Sequence, residues 1–335
     1  MIRRVLVTGG AGYIGSVIVD QLLERGLAVF VLDDLSAGHR AAVADRASFV
    51  QGNVGNRELV EALLGQERIE AIIHMAAFAL VAESVAQPGK YVTNNVTAAR
   101  VLLEAAIDAR VGRFVFSSSC AVYGHPRTVP IPEDSPLQPV NPYGETKRDF
   151  EKLLAEYAPK NGMAVVSLRY FNAAGATVRR GEDHDPETHL IPNVLAVASG
   201  KQPAAQVFGT DYPTADGTAV RDYIHVADIA DAHVRALDVR VEHEPVAINL
   251  GTGTGRSVRQ VVEVARRITG RPIPTKDSPR RAGDPPELVA AVQRAATQLG
   301  WRPKHSSLDE IIESAWRWHQ ANPHGYRIAA PGGRT

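Results

Sequence analysis

Two residues in the run Tyr143-Gly144-Glu145-Thr146-Lys147 could move a proton between them. Four residues apart on a helix, a phenol and an ammonium share one face. Free tyrosine titrates near ~10, so a base at neutral pH requires a drop of about 3 units, or roughly 4 kcal/mol. A helix N-terminus offers about 0.3–1 kcal/mol and at most about 2. A cation about 5 Å away, at an effective dielectric near 20, adds roughly 3 kcal/mol. Lys147 can therefore close the gap with help from a second positive charge. Asn141 is placed to cap this helix and Pro142 suits its first turn. Ser117-Ser118-Ser119 lies just beyond a strand expected over 113–116. A hydroxyl there, and Ser119 in particular, could bond a substrate oxygen and relay its proton to Tyr143. The neighbouring Cys120 reads as a small packing residue, because no activating histidine is close in sequence. The eleven histidines show no HxH or HExxH spacing; His184, His189 and His225 read as loop or strand-end residues, and no metal is assigned.

These groups need a scaffold, and the N-terminal sequence describes one. Val5-Leu6-Val7 reads as a strand, and Ile14, Ile18, Leu22 and Leu23 give a helix that stops at Gly26. Between them stand Gly9, Gly12 and Gly15, a GxxGxxG turn whose backbone N–H groups can approach a pyrophosphate at a helix N-terminus. Asp33 ends the second strand, where a carboxylate accepts from both adenosine ribose hydroxyls and repels a 2′-phosphate. The pattern favours NAD over NADP, and an oxidised nicotinamide would supply the second positive charge beside Tyr143. Apolar runs recur at 28–32, 48–50, 71–73, 113–116 and 165–168, separated by helical stretches at 57–64, 94–109 and 143–158. Alternating strands and helices predict an α/β fold, a doubly wound parallel sheet of Rossmann type. Helices recur at 226–237, 258–268 and 308–319, and 247–250 looks like a strand able to rejoin the first sheet. The expected division is an NAD-binding domain over 1–171, rejoined by 226–250, and a smaller α/β substrate domain over 172–225 and 251–326. Residues 327–335 form a tail, and the chain looks loosely committed to structure from Pro323.

Composition restricts the partners. Among 335 residues, Lys plus Arg and Asp plus Glu stand at 37 each, so no field of one sign draws the chain to nucleic acid or anionic lipid. One cysteine excludes an internal disulfide framework and fits a reducing compartment, the cytoplasm. MIRRVLVT runs straight into a strand pattern, and no eighteen apolar residues follow one another, so neither export nor membrane insertion is expected.

In this order, TGGAGYIGS, LDDLS, HMAAFALVAESV, NNVTAARVLLEA, FSSSCAVYG, NPYGETK, RYFNAAGA, VFGTDYPTADGTAVRDYIHVADIADAH, NLGTGTGRSV and RRAGD resemble the UDP-glucose 4-epimerase family of extended short-chain dehydrogenases/reductases. The segment FGTDYPTADGTAVRDYIHV is the most specific, since simple dehydrogenases of this fold lack it. Related dehydratases carry Thr-Asp-Glu where this chain has Ser119-Cys120-Ala121, which disfavours loss of water.

The resemblance implies a catalytic set of Ser119, Tyr143 and Lys147. It implies that Tyr13 and Ile14 line the NAD pyrophosphate, that Asp33, Asp34, Leu35, Ser36, Ala37 and Gly38 surround the adenosine ribose, and that Asn53 and Val54 meet adenine. Met75, Ala76, Ala77, Ala79, Asn94, Lys147 and Phe171 would complete the nicotinamide side. Asn172, His189, Leu190, Gln206, Val207, Phe208, Arg221, Tyr223, Arg281 and Asp284 would hold UDP, the two guanidiniums forking onto diphosphate oxygens. Three departures carry expectations. Asn53 stands where Asp usually meets adenine, and Ala79 where many members have Lys, which removes a charge near NAD. Leu288 stands where a bulky Tyr in some members excludes N-acetylated sugars, so UDP-GlcNAc/UDP-GalNAc activity is an expectation of the same reading. The implied reaction is epimerisation at sugar C4 through a 4-keto intermediate, by an enzyme that pairs as a homodimer through the helices at 94–109 and 143–158. Alternatives are a pentose or uronate 4-epimerase, a net NAD-dependent nucleotide-sugar dehydrogenase, and a noncatalytic NAD-sensing regulator.

Overall fold

The computed structural model describes residues 2–241, 244–281 and 283–327. Its first half alternates strand and helix: β1 Arg4–Thr8, α1 Tyr13–Glu24, β2 Ala28–Asp33, β3 Ser48–Gln51, α2 Arg57–Gln66, β4 Ala71–His74, then short helices α3 Val81–Ala86 and α4 Pro88–Val92, α5 Ala99–Asp108, β5 Arg113–Ser119, α6 Pro142–Tyr157 and β6 Ala164–Tyr170. The second half adds β7 Asn172–Ala174, α7 Leu190–Ala198, β8 Ala205–Phe208, β9 Val220–Arg221, β10 Tyr223–His225, α8 Val226–Ala236, β11 Val246–Leu250, β12 Arg256–Ser257, α9 Val258–Thr269, β13 Thr275–Ser278, β14 Glu287–Leu288, α10 Gln293–Gln298 and α11 Leu308–Ala321.

Seven parallel strands form one sheet in the order β11-β6-β5-β4-β1-β2-β3. The order reverses beside β1, which is the doubly wound arrangement, and β11 closes one edge as the run at 247–250 suggested. Alternation along a strand explains the apolar runs. Val5 and Val7 enter one core with Ile18, Leu22 and Ile229, whereas Leu6 enters the other with Phe114, Phe116 and Phe150. Both faces are covered, so neither can be polar. A third core joins α7, α9 and α11 through Val194, Leu195, Val261, Val262, Ile311 and Ile312. Two-stranded pairs β7–β10 and β8–β13 and the three-stranded β12-β9-β14 sit beside it.

Three expectations change. The strand expected over 113–116 runs on through Ser119, because Ser117, Ser118 and Ser119 pair with Leu168, Arg169 and Tyr170. Their hydroxyls are satisfied inside: Ser117 bonds with the Tyr170 hydroxyl, and Ser118 donates to Glu151. The single helix expected over 94–109 is interrupted by a wide π turn over Thr93–Ala98 before α5 begins. There the buried Asn95 accepts from the Phe78 backbone N–H and donates to its carbonyl, both at 2.9 Å, and reaches Thr146 of α6 at 3.2 Å. Such insertions concentrate where a side chain must be aimed. The segment from Pro323 is engaged as far as Tyr326, whose ring packs on Trp318 and His39 and whose N–H donates to Asp183 at 2.8 Å. Of the expected tail, residues 328–335 lie outside the described residues. Among the described residues no helix is long and apolar enough to cross a membrane.

Candidate active site

A parallel sheet brings the ends of its strands to one edge, and here that edge carries Thr8, Asp33, His74, Ser119 and Tyr170. The loop after β1 turns directly into α1, whose N-cap, Gly12, has no side chain to occupy the first-turn amides. Gly15 is obligatory for packing, since a Cβ there would lie 2.1 Å from the Gly9 carbonyl oxygen. The buried Asp33 carboxylate accepts from the Ala11 and Leu35 N–H groups, each at 2.9 Å, which fixes it against the glycine turn. Burial raises its pKa, opposed by those two hydrogen bonds. Leu35 takes a left-handed conformation at φ 63°, turning the chain through Ser36 to Gly38 around this carboxylate. Asn53 donates to Asp34 at 2.8 Å and accepts from Gly55 N–H at 2.8 Å, so its amide holds the turn as well as facing outward. Val54 is buried behind it. After β4, Met75 is tied to Thr8 by a 2.9 Å backbone bond, Ala76 and Ala77 are half-buried and Ala79 is exposed. Asn94 donates to Asn95 at 3.0 Å, and Phe171 is buried just past β6.

α6 presents Tyr143 and Lys147, the candidate catalytic pair. Asn141 caps it by accepting from Gly144 N–H at 2.9 Å, with Pro142 in the first turn, as the sequence indicates. Gly144 lets the helix lie against the turn after β5; a Cβ there would sit 2.5 Å from the Ala121 carbonyl oxygen. That close approach brings the Tyr143 side chain beside Ser119, near enough for Ser119 to lower the phenol's pKa. Ser119 also accepts from Ala121 N–H at 3.2 Å. Lys147 is buried, donates to the Ser117 carbonyl at 2.8 Å, and lies 5.7 Å from the centre of the Tyr143 ring.

The electrostatics bear on the expectation that Lys147, with help from a second positive charge, makes the phenol a base. Burial dominates at both groups: it pushes the Tyr143 phenol up to about 12, with the nearby Ser119 opposing, and pushes the Lys147 ammonium down to about 7. Bringing the phenol from there to neutrality takes about 5 pH units, roughly 7 kcal/mol. One cation at this range supplies roughly 3 kcal/mol. Both shifts run against an ionised phenol beside a charged ammonium, so a further positive charge, such as that of an oxidised nicotinamide, works in the direction the chemistry needs.

On the substrate side, Arg221 is buried and its guanidinium is fixed by Asp284 at 2.5 Å and by the Val220 and Pro285 carbonyls at 2.7 and 2.9 Å. Arg281 lies over the Phe208 ring at 4.1 Å, at the end of β8 that also carries Gln206 and Val207. Asn172 and Tyr223 are register partners across β7 and β10, and Leu288 pairs with Arg221 across β14 and β9. Leu288 shares a small core with Cys120 and Phe171, which brings this wall next to the serine strand. Leu190 opens α7. His189 is its N-cap and turns its ring nitrogen to Glu182 at 2.7 Å and Glu187 at 3.1 Å.

Sequence reasoning missed several supporting groups. His74 shares a 2.7 Å bond with Thr8 and is held neutral, pushed down to about 3 by burial and then by Lys147. Glu151, one turn beyond Lys147, forms a buried pair with Arg169 at 2.5 Å. A carboxylate on the apolar face of α6, at the i, i+4, i+8 spacing of Tyr143, Lys147 and Glu151, was the available signal. Asp222 accepts from Thr252, Gly253 and Ala290 N–H groups and joins the C-terminal loops to β9.

The family model described as "NAD dependent epimerase/dehydratase family" matches residues 5–251. The chain is 49% identical to the UDP-glucose 4-epimerase of Lactobacillus helveticus over 96% of this chain and 99% of that one. It superposes on the Brucella ovis UDP-glucose 4-epimerase solved with NAD, at TM-score 0.90 and 45% identity, covering 94% of this chain and 98% of that one. The Bifidobacterium longum enzyme solved with NAD+ and UDP gives TM-score 0.92 at 36% identity, covering 96% and 99%. A glycine turn with no side chain at its helix cap, an acid at the end of β2, a Ser-Tyr-Lys set with Ser119 and Lys147 buried, and this agreement along nearly the whole chain place the protein in the UDP-glucose 4-epimerase family of NAD-dependent extended short-chain dehydrogenases/reductases.

Proposed function

We propose that this chain interconverts UDP-glucose and UDP-galactose by transient oxidation at sugar C4, with Tyr143 as the base. The observation that carries the reading is the placing of Tyr143 beside Ser119, with the buried Lys147 5.7 Å from the centre of its ring and tied to the Ser117 carbonyl. NAD fits the cleft: the Gly15 approach leaves no room for a side chain, and Asp33 is anchored at the end of β2. Gly9, Gly12 and Gly15 would hold its pyrophosphate and Asp33 its ribose, and bound NAD supplies the hydride acceptor and donor at C4. The protein's part is proton control. Tyr143 takes the 4-hydroxyl proton, directly or through Ser119, and returns it once the keto sugar has presented its other face. Arg221 and Arg281, with Phe208, would grip the uridine diphosphate, leaving the hexose free to turn. The residues at 1–171 and 226–250 would thus serve the cofactor, and those at 172–225 and 251–326 the nucleotide.

Leu288 supports a second substrate class. As a leucine in the wall beside Cys120 and Phe171 it leaves more room than a tyrosine, which favours acceptance of UDP-GlcNAc and UDP-GalNAc. A panel of UDP-sugars incubated without added cofactor and followed by NMR tests both readings. C4 epimers of the plain hexoses are expected; no epimer from any member would refute the assignment. A homodimer through α5 and α6 belongs to the same proposal, and so does the cytoplasm, which suits the single buried, free Cys120. Light scattering is expected to give twice the chain mass of 36.1 kDa.

A further inference from the structure

Between β7 and α7 the chain carries two Glu-x-His triplets, Glu182-Asp183-His184 and Glu187-Thr188-His189, outside the Tyr143 machinery. In extended backbone, residues i and i+2 point to one side. A bend at Asp185-Pro186 folds the triplets toward each other, and one ligand atom from each of Glu182, His184, Glu187 and His189 comes within 4.8 Å of all the others. The Nδ1 of His189 is 2.7 Å from Glu182 Oε1 and 3.1 Å from Glu187 Oε1. The Nδ1 of His184 is 3.2 Å from Glu182 Oε1 and 3.9 Å from Glu187 Oε2. Zinc bonds to nitrogen and oxygen of about 2.0–2.2 Å put neighbouring donors of a tetrahedron about 3.4 Å apart, a spacing these separations straddle.

Charge points the same way. The Glu182 side chain is only 6% exposed, and among the described residues neither it nor Glu187 is paired with a lysine or arginine; their partners are these two imidazoles. A buried carboxylate requires a compensating cation, a part that the two paired imidazoles fill in the metal-free protein and that a divalent ion bound by their neutral nitrogens would take over. A divalent ion would neutralise both carboxylates at once, and two imidazoles with two carboxylates suit zinc and its neighbours. The backbone around the cluster is fixed independently. Arg180 pairs with Asp20 of α1, Gly181 packs on Trp318 and Asp183 accepts from Tyr326. The His184 ring stands edge-on to Tyr13 at 6.2 Å, and His189 caps α7.

We propose that Glu182, His184, Glu187 and His189 bind one divalent transition-metal ion of the zinc class. The ion joins the loop over 182–189 at the seam between the starts of α1 and α7. Its chemistry is structural: it takes no part in proton transfer at Tyr143.

Calorimetric titration of the EDTA-treated, NAD-loaded protein with Zn2+ tests this, together with Co2+ substitution. One ion per chain is expected, with visible ligand-field bands of tetrahedral Co2+. His184→Gln and Glu187→Gln should each weaken binding by about a hundredfold with far-UV dichroism unchanged. Should either variant fail to fold, NMR of the wild-type protein decides, with Zn2+ shifting the Nδ1 resonances of His184 and His189. A stoichiometry far below one, unchanged affinity in both folded variants, or unshifted imidazole nitrogens would overturn the proposal. None of these readouts needs a sugar nucleotide, so failure here leaves the epimerase reading standing.

Discussion

The chemistry turns on the acidity of one phenol. Tyr143 sits where burial, the largest influence, pushes its pKa up to about 12, and its ammonium neighbour is itself pushed down to about 7. On the proposed mechanism, the positive charge of the oxidised cofactor favours the phenolate, which would couple proton removal to the cofactor's oxidised state. The phenolate absorbance of Tyr143, isolated by difference from Tyr143→Phe, should titrate at lower pH in the NAD+ form than in the NADH form. Tyr143→Phe should still fold and retain NAD while losing about 10²–10⁴ in kcat, the usual worth of a positioned acid–base group. Near-normal turnover in that variant would remove Tyr143 from the mechanism. The spacing in the sequence pointed to the candidate pair, but the direction of each pKa depends on packing against β5, where Lys147 meets Ser117 and Phe116, and no local pattern records that.

Elements act here by how closely they approach. α6 delivers Tyr143 to Ser119 because Gly144 permits contact with the Ala121 carbonyl, where a methyl group would lie 2.5 Å from the oxygen and 2.9 Å from Pro139 Cβ. Gly144→Ala should therefore lower kcat by about 10- to 100-fold, the scale of a displacement of about an ångström, with NAD content and fold unchanged. Steady-state kinetics beside cofactor absorbance separates the two effects. The main strands and helices were legible because a sheet covered on both faces reads as continuous apolar runs, and because Gly26, Asn141 and Pro142 punctuate its helices. Polar stretches were not legible. Ser117–Ser119 reads as a strand end, yet it is strand, since its hydroxyls find Tyr170 and Glu151 inside. Asn94-Asn95 reads as ordinary helix, yet it widens into a π turn so that Asn95 can satisfy Phe78. The Glu/His cluster was hidden because its ligands come from a loop rather than a helix of fixed period.

At the scale of the whole molecule, two deeply buried histidines tie stability to pH. His74 and His233 are held neutral by burial, their pKa values pushed down to about 3 and about 4. In the unfolded chain each titrates near ~6.5, so below that pH the unfolded state binds the extra proton. Stability is full above about pH 6.5 and falls as pH drops toward these folded values. Each histidine contributes about 1.4 kcal/mol per pH unit in that window. His233 bonds Ile229 through Nδ1, and its Nε2 has no partner among the described residues. His233→Gln should flatten the slope of unfolding free energy by one such increment, as read from urea melts at a series of pH values.

The central claim is that the hydride removed from C4 returns to the same carbon, on the opposite face, without leaving the protein. UDP-galactose deuterated at C4 tests it directly, incubated with the purified protein and no added cofactor. The account predicts UDP-glucose with the deuterium retained at C4 and no growth of reduced-nicotinamide absorbance. Label lost to solvent, or accumulation of a keto sugar with stoichiometric NADH, would contradict it.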